Sequence, residues 1–155
     1  MTTCTFAGHR DVFQADIPKK LDKVISQILA FGDNSYRFLV GVRGQFDEMC
    51  SSAVRKVKRE HKDKQITLVL VLPYFSQELN TNKEYYEQFY DDVVIPSELA
   101  DVHYKAVITK RNRWLIEQSD ILIAFVYRNF GGAYTTINYA IKKEKQVINL
   151  ADSNP

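Results

Sequence analysis

Five of the six glycines in the sequence follow stretches that are typical of β-strands. They are Gly8, Gly41, Gly44, Gly131 and Gly132. Because glycine lacks a Cβ, a ligand can approach the backbone closely at such positions. Helices are predicted to begin after two of these loops, and the N–H groups at a helix N-terminus suit a phosphate. Each loop alone is explained by a tight turn, but three loops at one sheet edge predict a phosphate-binding site.

Basic side chains accompany these glycines. His9 and Arg10 follow the first of them, and Arg43 lies between Gly41 and Gly44. The planar guanidinium group of arginine matches phosphate and carboxylate groups. Each of these residues taken singly is typical of a solvated loop, whereas together they predict a basic ligand pocket.

Four further polar residues have two interpretations each. Asp47 either caps the second predicted helix or accepts hydrogen bonds from a ribose hydroxyl. Thr135 and Thr136, at the start of the last predicted helix, either donate to a phosphate or satisfy the local backbone. Asp120 precedes a strand, where a turn is as good an explanation as a functional role.

The elements that must position these residues alternate between strand and helix. Short apolar runs predict strands at residues 4–7, 36–40, 66–72, 92–95, 121–126 and 146–150. The runs ITLVLVL and ILIAFV are apolar throughout, which indicates strands buried on both faces.

Helical periodicity predicts four main helices. The first follows Asp16, the second follows Asp47, and the last follows Gly132. The third runs up to Gln118, and Thr109 is its expected cap, which would place Arg111 and Asn112 near its start. We therefore predict one α/β domain over residues 1–155, a doubly wound, mainly parallel sheet in a Rossmann-like three-layer α/β/α arrangement.

Charge and composition weigh against several classes of protein. Twenty-one basic and 19 acidic residues leave a net charge of +2, and the basic run at 55–64 is interrupted by acidic residues, so we expect no nucleic acid partner. No run is long enough to span a membrane, and a cytoplasmic location is expected. The three histidines form no metal-binding motif, and Cys4 and Cys50 are expected to be reduced core residues.

The segment KEYYEQFYDD at residues 83–92 is rich in aromatic side chains. It is typical of an amphipathic helix that packs on the sheet edge. Two functional alternatives remain, a lid that stacks on a base and the face of a homodimer.

Four sequence blocks, taken in order, resemble the motifs of YpsA-like proteins. They are Thr5-Phe6-Ala7-Gly8-His9-Arg10, Gly41-Val42-Arg43-Gly44-Gln45-Phe46-Asp47, Arg111-Asn112 followed by Ser119-Asp120, and Gly131-Gly132-Ala133-Tyr134-Thr135-Thr136. YpsA-like proteins belong to the SLOG superfamily of Rossmann-like domains, which includes DprA and the Lonely Guy phosphoribohydrolases. The resemblance implies a nucleotide or nucleotide-derived ligand, with no metal or further cofactor required.

One departure from the Lonely Guy pattern bears on catalysis. When the paired glycines are aligned, Tyr134 takes the place of a third glycine and Asn138 takes the place of a glutamate. Asparagine cannot act as a general base or stabilise an oxocarbenium-like centre by its charge. We therefore predict ligand binding without catalysis. The alternative is an N-glycoside hydrolase or transferase acting on nucleoside monophosphates, in which Asp47, Asp120 or Glu78 replaces the missing glutamate.

Overall fold

The computed structural model describes residues 1–12, 14–41 and 44–151. Its strands are β1 (Thr2–Gly8), β2 (Ser35–Val40), β3 (Gln65–Val71), β4 (Asp92–Val94), β5 (Ile121–Phe125) and β6 (Gln146–Asn149). They form one sheet in the order β4-β3-β2-β1-β5-β6, and every pair of neighbours is parallel. The predicted doubly wound α/β fold is confirmed.

Helices connect these strands and cover both faces of the sheet. They are α1 (Ile17–Leu29), α2 (Gln45–Glu60), α3 (Glu78–Thr81), α4 (Lys83–Phe89), α5 (Tyr104–Glu117) and α6 (Gly132–Lys142), with a 3₁₀ helix at Ser97–Leu99. Cys4 and Phe6 of β1 face the core formed with α1, α2 and α4. Ala7 faces the opposite core, formed with α5 and α6. The three layers are therefore those expected from the sequence.

Two helices begin earlier than the sequence predicts. The second starts at Gln45 rather than after Asp47, so Asp47 lies in its first turn. The third starts at Tyr104, and the Nδ1 atom of His103 accepts a hydrogen bond from the Lys105 N–H at 3.2 Å. Thr109 is thus not a cap, because it lies in the second turn. The start of α5 was missed because only three of its 14 residues are buried, which leaves its first turns without a clear apolar face.

The end of β1 is closed against α2 by an aromatic ring. A Cβ placed on Gly8 would lie 2.5 Å from Cγ of Phe46, which is buried in the first turn of α2. The Phe46 ring stacks on Phe125 of β5, with 6.0 Å between the ring centroids. Packing of α2 on the ends of β1 and β5 therefore explains glycine at position 8.

His9 connects the end of β1 to the loop after β5. Its Nε2 atom accepts hydrogen bonds from the backbone N–H groups of Tyr127 and Arg128, at 3.1 and 3.3 Å. The ring is buried, and it packs edge-on against the Tyr127 ring at a centroid distance of 4.5 Å. Burial, and secondly the positive charge of Arg128, lower the pKa of His9. The imidazole is thus held neutral, as an acceptor that fixes the β5–α6 loop.

The contact at Gly8 predicts a cost for the smallest possible side chain. Gly8→Ala should lower the free energy of unfolding by about 1–3 kcal/mol, because the added methyl group must displace a packed ring. Gly132→Ala is the matched control, since a Cβ there meets nothing within 4 Å. Urea denaturation measures both, and equal midpoints for Gly8→Ala and the parent chain would contradict this account of β1.

The buried His9 predicts a pH dependence of stability. The pKa of His9 is lower in the folded chain than in the unfolded chain, so the unfolded chain takes up the proton first as the pH falls. The contribution of His9 to the free energy of unfolding is therefore fully present above about pH 6.5 and decreases below it. His9→Gln should flatten the decrease in unfolding free energy between pH 7 and pH 5. His61→Gln, at the C-cap of α2, is the matched control and should retain it. Identical pH profiles for the parent chain and His9→Gln would refute the assignment.

Candidate functional site

A cavity of about 320 Å³ opens at the carboxyl edge of the sheet. It lies where β1 is flanked by β2 on one side and β5 on the other, so that the strand order reverses there. It is lined by Thr5, Phe6, Ala7, Gly8, Arg10, Gly41, Asp47, Ile108, Arg111, Asn112, Leu115, Ile116, Gly132, Ala133 and Thr136. Ligands bind at this position in open α/β sheets.

Eight of the predicted site residues line this cavity. They are Gly8, Arg10, Gly41, Asp47, Arg111, Asn112, Gly132 and Thr136. Four others do not, because His9 holds the β5–α6 loop, Gly44 and Gly131 form turns, and Thr135 lines a neighbouring groove. Arg43 lies outside the described residues.

Asp47 and Arg111 both lie close to Gly41. A Cβ placed on Gly41 would be 3.4 Å from Oδ2 of Asp47 and 3.3 Å from Nη1 of Arg111. A side chain at position 41 would therefore crowd both charged groups. Asp47 lies in the first turn of α2, after the N-cap Gly44, and it lines the cavity.

Arg111 is held in place by two hydrogen bonds. Its Nη1 atom donates to the carbonyl oxygen of Val71 at 3.0 Å, and its Nε atom donates to Oδ1 of Asn112 at 3.0 Å. The guanidinium group is thus anchored between α5 and the end of β3. Because Oδ1 of Asn112 accepts from Arg111, the amide nitrogen of Asn112 is the donor that this side chain can offer to a ligand.

The N-terminus of α6 forms another wall of the cavity. Gly131 precedes it with φ of 95°, a conformation that favours glycine, and Gly132 and Ala133 line the cavity. The hydroxyl groups of Thr135 and Thr136 donate to the carbonyl oxygens of Gly131 and Gly132, at 3.0 and 2.8 Å. Of the two interpretations of these threonines, the structure favours satisfaction of the local backbone.

Arg10 is positioned by the contact between two strand-end loops. The carbonyl oxygen of Arg10 accepts from the Gln45 N–H at 2.8 Å, and Oε1 of Gln45 accepts from the Val12 N–H at 2.7 Å. Gly44 has φ of 99°, and a Cβ there would lie 2.9 Å from Cα of Arg10. Glycine at position 44 therefore serves the approach of the β1–α1 loop, which brings the Arg10 side chain to the cavity.

The carboxylates proposed as replacements for a catalytic glutamate lie in different places. Asp120 is at the amino end of β5, where its Oδ2 accepts from the Thr3 N–H at 2.9 Å, so it is at the opposite edge from the cavity. Glu78 lines a neighbouring cavity of about 160 Å³. Asn138 is exposed in the groove between α5 and α6. Asp47 is thus the one carboxylate among the described lining residues.

Sequence analysis missed the apolar wall of the cavity. Ile108, Leu115 and Ile116 of α5 line it, together with Ala133. Because α5 was predicted to begin near Thr109, Ile108 was left outside the helix. The spacing of residues in the sequence could have revealed this wall, because Ile108, Asn112 and Leu115 recur at helical intervals.

A larger groove, of about 500 Å³, lies between α1 and α2. Asp22 and Lys56 line it and form an ion pair at 2.8 Å. It lies along two helices, and among its described lining residues the one cation, Lys56, is paired with Asp22 while Glu48 adds a further negative charge.

Within residues 1–12, 14–41 and 44–151, no group of histidine, cysteine and acidic side chains could hold a metal ion. Cys4 and Cys50 are buried, and burial raises the pKa of the Cys4 thiol to about 12. Among the helices described, none has the length and apolar character needed to cross a membrane.

Comparison with known proteins identifies the fold. No protein-family model and no curated protein matches the chain. Among solved structures, DNA processing protein A from Helicobacter pylori aligns with a TM-score of 0.64 and 16% identity, over 94% of this chain and 63% of that chain. DprA from Streptococcus pneumoniae aligns with a TM-score of 0.64 and 14% identity, over 97% of this chain and 52% of that chain. The chain thus has the Rossmann-like α/β fold seen in these DprA structures, and it spans about half to two thirds of their length.

The Helicobacter pylori protein is described by its mode of binding single-stranded DNA. We predicted that nucleic acid is not a partner. That prediction is wrong, because a protein with this fold is described as binding single-stranded DNA. The reason is physical. A net charge of +2 sums over the whole chain and does not report that Arg10 and Arg111 lie together at one cavity.

Proposed function

We propose that this protein binds a nucleotide or nucleotide-derived ligand in the cavity at the carboxyl edge, without catalysis. The observation that carries the proposal is the convergence of the loops after β1 and β2, the middle of α5 and the N-terminus of α6 on one cavity. The assignment to the YpsA-like family is part of this proposal and rests on the four sequence blocks.

The phosphate would lie between Arg10 and the start of α6. The N–H groups of the first helical turn are without intrahelical partners in any helix, and they carry the positive end of the helix dipole. Arg10 adds a full charge and Asn112 an amide donor, while Gly132 has room for close approach because a Cβ there would meet nothing within 4 Å. The hydroxyl group of Thr136 donates its proton to the carbonyl oxygen of Gly132 and therefore offers a phosphate no donor.

Asp47 would hold the ribose. Its carboxylate lies beside Gly41 after β2, whereas α6 begins after β5, on the other side of β1 in the strand order. An ionised carboxylate only accepts hydrogen bonds, so it recognises hydroxyl groups and disfavours phosphate. The two walls therefore suit different parts of one ligand.

Single-stranded DNA belongs in any test of this proposal. The fold is shared with a protein described as binding it, and the phosphate of an oligonucleotide offers the same chemistry to Arg10 as that of a free nucleotide. We therefore include a short oligonucleotide beside the free nucleotides.

Nucleotide binding predicts stabilisation by ligand. A panel of nucleoside mono- and diphosphates, cyclic nucleotides, sugar phosphates and a short single-stranded oligonucleotide should contain at least one compound that raises the unfolding free energy. The increase is about 2.7 kcal/mol at 100 times the dissociation constant. Thermal denaturation measures it, with nucleosides that lack phosphate as the control.

Substitutions at the cavity distinguish this site from others. Arg10→Ala and Gly132→Ala should each weaken binding of the active compound at least tenfold, which is about 1.4 kcal/mol. Arg59→Ala removes the same charge from an exposed position on α2 and should leave affinity unchanged. If no compound stabilises the protein, or if Arg59→Ala and Arg10→Ala act alike, the proposal fails.

The alternative function, N-glycoside hydrolysis, is favoured by one observation, the carboxylate of Asp47 in the cavity. Glycosidic cleavage ordinarily uses a pair of carboxylates, and the described lining supplies one. We therefore expect no free base when the protein is incubated with nucleoside monophosphates, as measured by chromatography. Base release that persists in Glu78→Gln and is lost in Asp47→Asn would establish the hydrolase instead.

A further inference from the structure

A second concave surface lies at the carboxyl ends of β3 and β4. It is a cleft of about 450 Å³ between the loops that follow these strands and the first turns of α5. Its lining is almost entirely apolar: Pro73, Tyr74, Phe75, Ile95, Pro96, Ser97, Leu99, Ala100, Val102, Tyr104 and Val107. Concave, mostly apolar surfaces with aromatic walls are typical of small-molecule sites.

The aromatic side chains of this cleft are unusually exposed. The exposed fractions are 45% for Tyr74, 59% for Phe75 and 73% for Tyr104. A cluster of exposed aromatic rings on one surface lowers the solubility of a protein and is typical of a binding site. Tyrosine has a flat apolar face and a polar tip, so it can stack on another planar ring while its hydroxyl stays in water.

The cleft adjoins the proposed phosphate site through a smaller cavity. This intervening cavity of about 160 Å³ shares Pro73 and Tyr74 with the cleft, and it shares Ile108 and Arg111 with the phosphate site. The shared residues place the three in one path of adjoining cavities along the carboxyl edge of the sheet. Its two ends differ in chemistry, since one carries Arg10 and the start of α6 and the other carries aromatic rings.

Helix α5 spans this path from end to end. Tyr104, Ile108 and Asn112 are spaced four residues apart, so they lie along one side of the helix. Tyr104 lines the cleft, Ile108 lines the intervening cavity and Asn112 lines the phosphate site. Eight residues of helix rise about 12 Å, which is the separation of Tyr104 and Asn112 along the helix axis.

We propose that this cleft is a nucleobase subsite in which a base of the bound nucleotide stacks on Tyr104 and Tyr74 while its phosphate lies beside Arg10. This inference rests on the proposed function and makes it more specific. The chemical reason is that every base has a flat π-face, which stacks on aromatic side chains, whereas a phosphate requires the cationic end. Ribose 5-phosphate, which has no base, would engage the cationic end alone.

The experiment compares three probes by calorimetry: ribose 5-phosphate, adenosine monophosphate and a 5′-phosphorylated adenine dinucleotide. Tyr104→Ala should weaken binding of at least one base-bearing probe fivefold or more and leave the affinity for ribose 5-phosphate unchanged. A loss for the dinucleotide alone would assign the cleft to the second base, and a loss for both would assign it to the first. Tyr104→Phe should retain affinity, because stacking needs the ring and not the hydroxyl group.

Tyr85→Ala is the matched control. Tyr85 is a 54% exposed tyrosine on α4 whose ring contacts Tyr86 and Phe89. The subsite is refuted if Tyr104→Ala weakens all three probes equally, or weakens none of them while Arg10→Ala still does. Absence of binding by every probe to the parent chain would instead refute the phosphate site itself.

Discussion

The position of the crevice depends on one constraint, the parallel pairing of β1 with both β2 and β5. From these two neighbours the chain leads to opposite halves of the sheet. Thr5 pairs with Leu39 of β2 and with Leu122 of β5. The chain continues from β2 outward to β4, and the other half of the sheet continues from β5 to β6. No connecting helix can cover the point between them, so a crevice opens there. Because all six strands are parallel, the loops after β1, β2 and β5 reach the same edge.

Two contacts keep that crevice in shape. Phe46 closes the floor by packing under Gly8 and against Phe125, and His9 holds the loop after β5 through two backbone N–H groups. Both residues serve the site without lining it. The rigidity of a ligand site comes from such supporting contacts as much as from the groups that touch the ligand.

The sequence was sufficient to predict the strands and the convergence of the glycine loops, because burial leaves a strong pattern. Runs such as ILIAF are buried at all five positions of β5, and that signal needs no tertiary information. The individual side-chain roles were harder to predict. Gly8 makes room for a ring from α2, and His9 accepts from backbone groups more than 100 residues away, contacts that no local pattern reports. The start of α5 was missed for a different reason, since only three of its 14 residues are buried and its apolar positions are therefore sparse.

Charge location, rather than charge total, decides what this edge can bind. The guanidinium group of Arg111 is anchored by the Val71 carbonyl and by Asn112, so little conformational entropy remains to be lost when an anion arrives. An exposed lysine carries the same charge but would lose side-chain conformational entropy when it binds an anion. Arg10 and Arg111 therefore bring two positive charges to one cavity, where Asp47 is the one carboxylate among the described lining residues, and a chain total of +2 does not report this distribution. Asp47 at the start of α2 lines the cavity, whereas Glu60 at the end of α2 lies about 20 Å farther along the helix, beyond the distance of about 8–10 Å over which exposed charges act in salt.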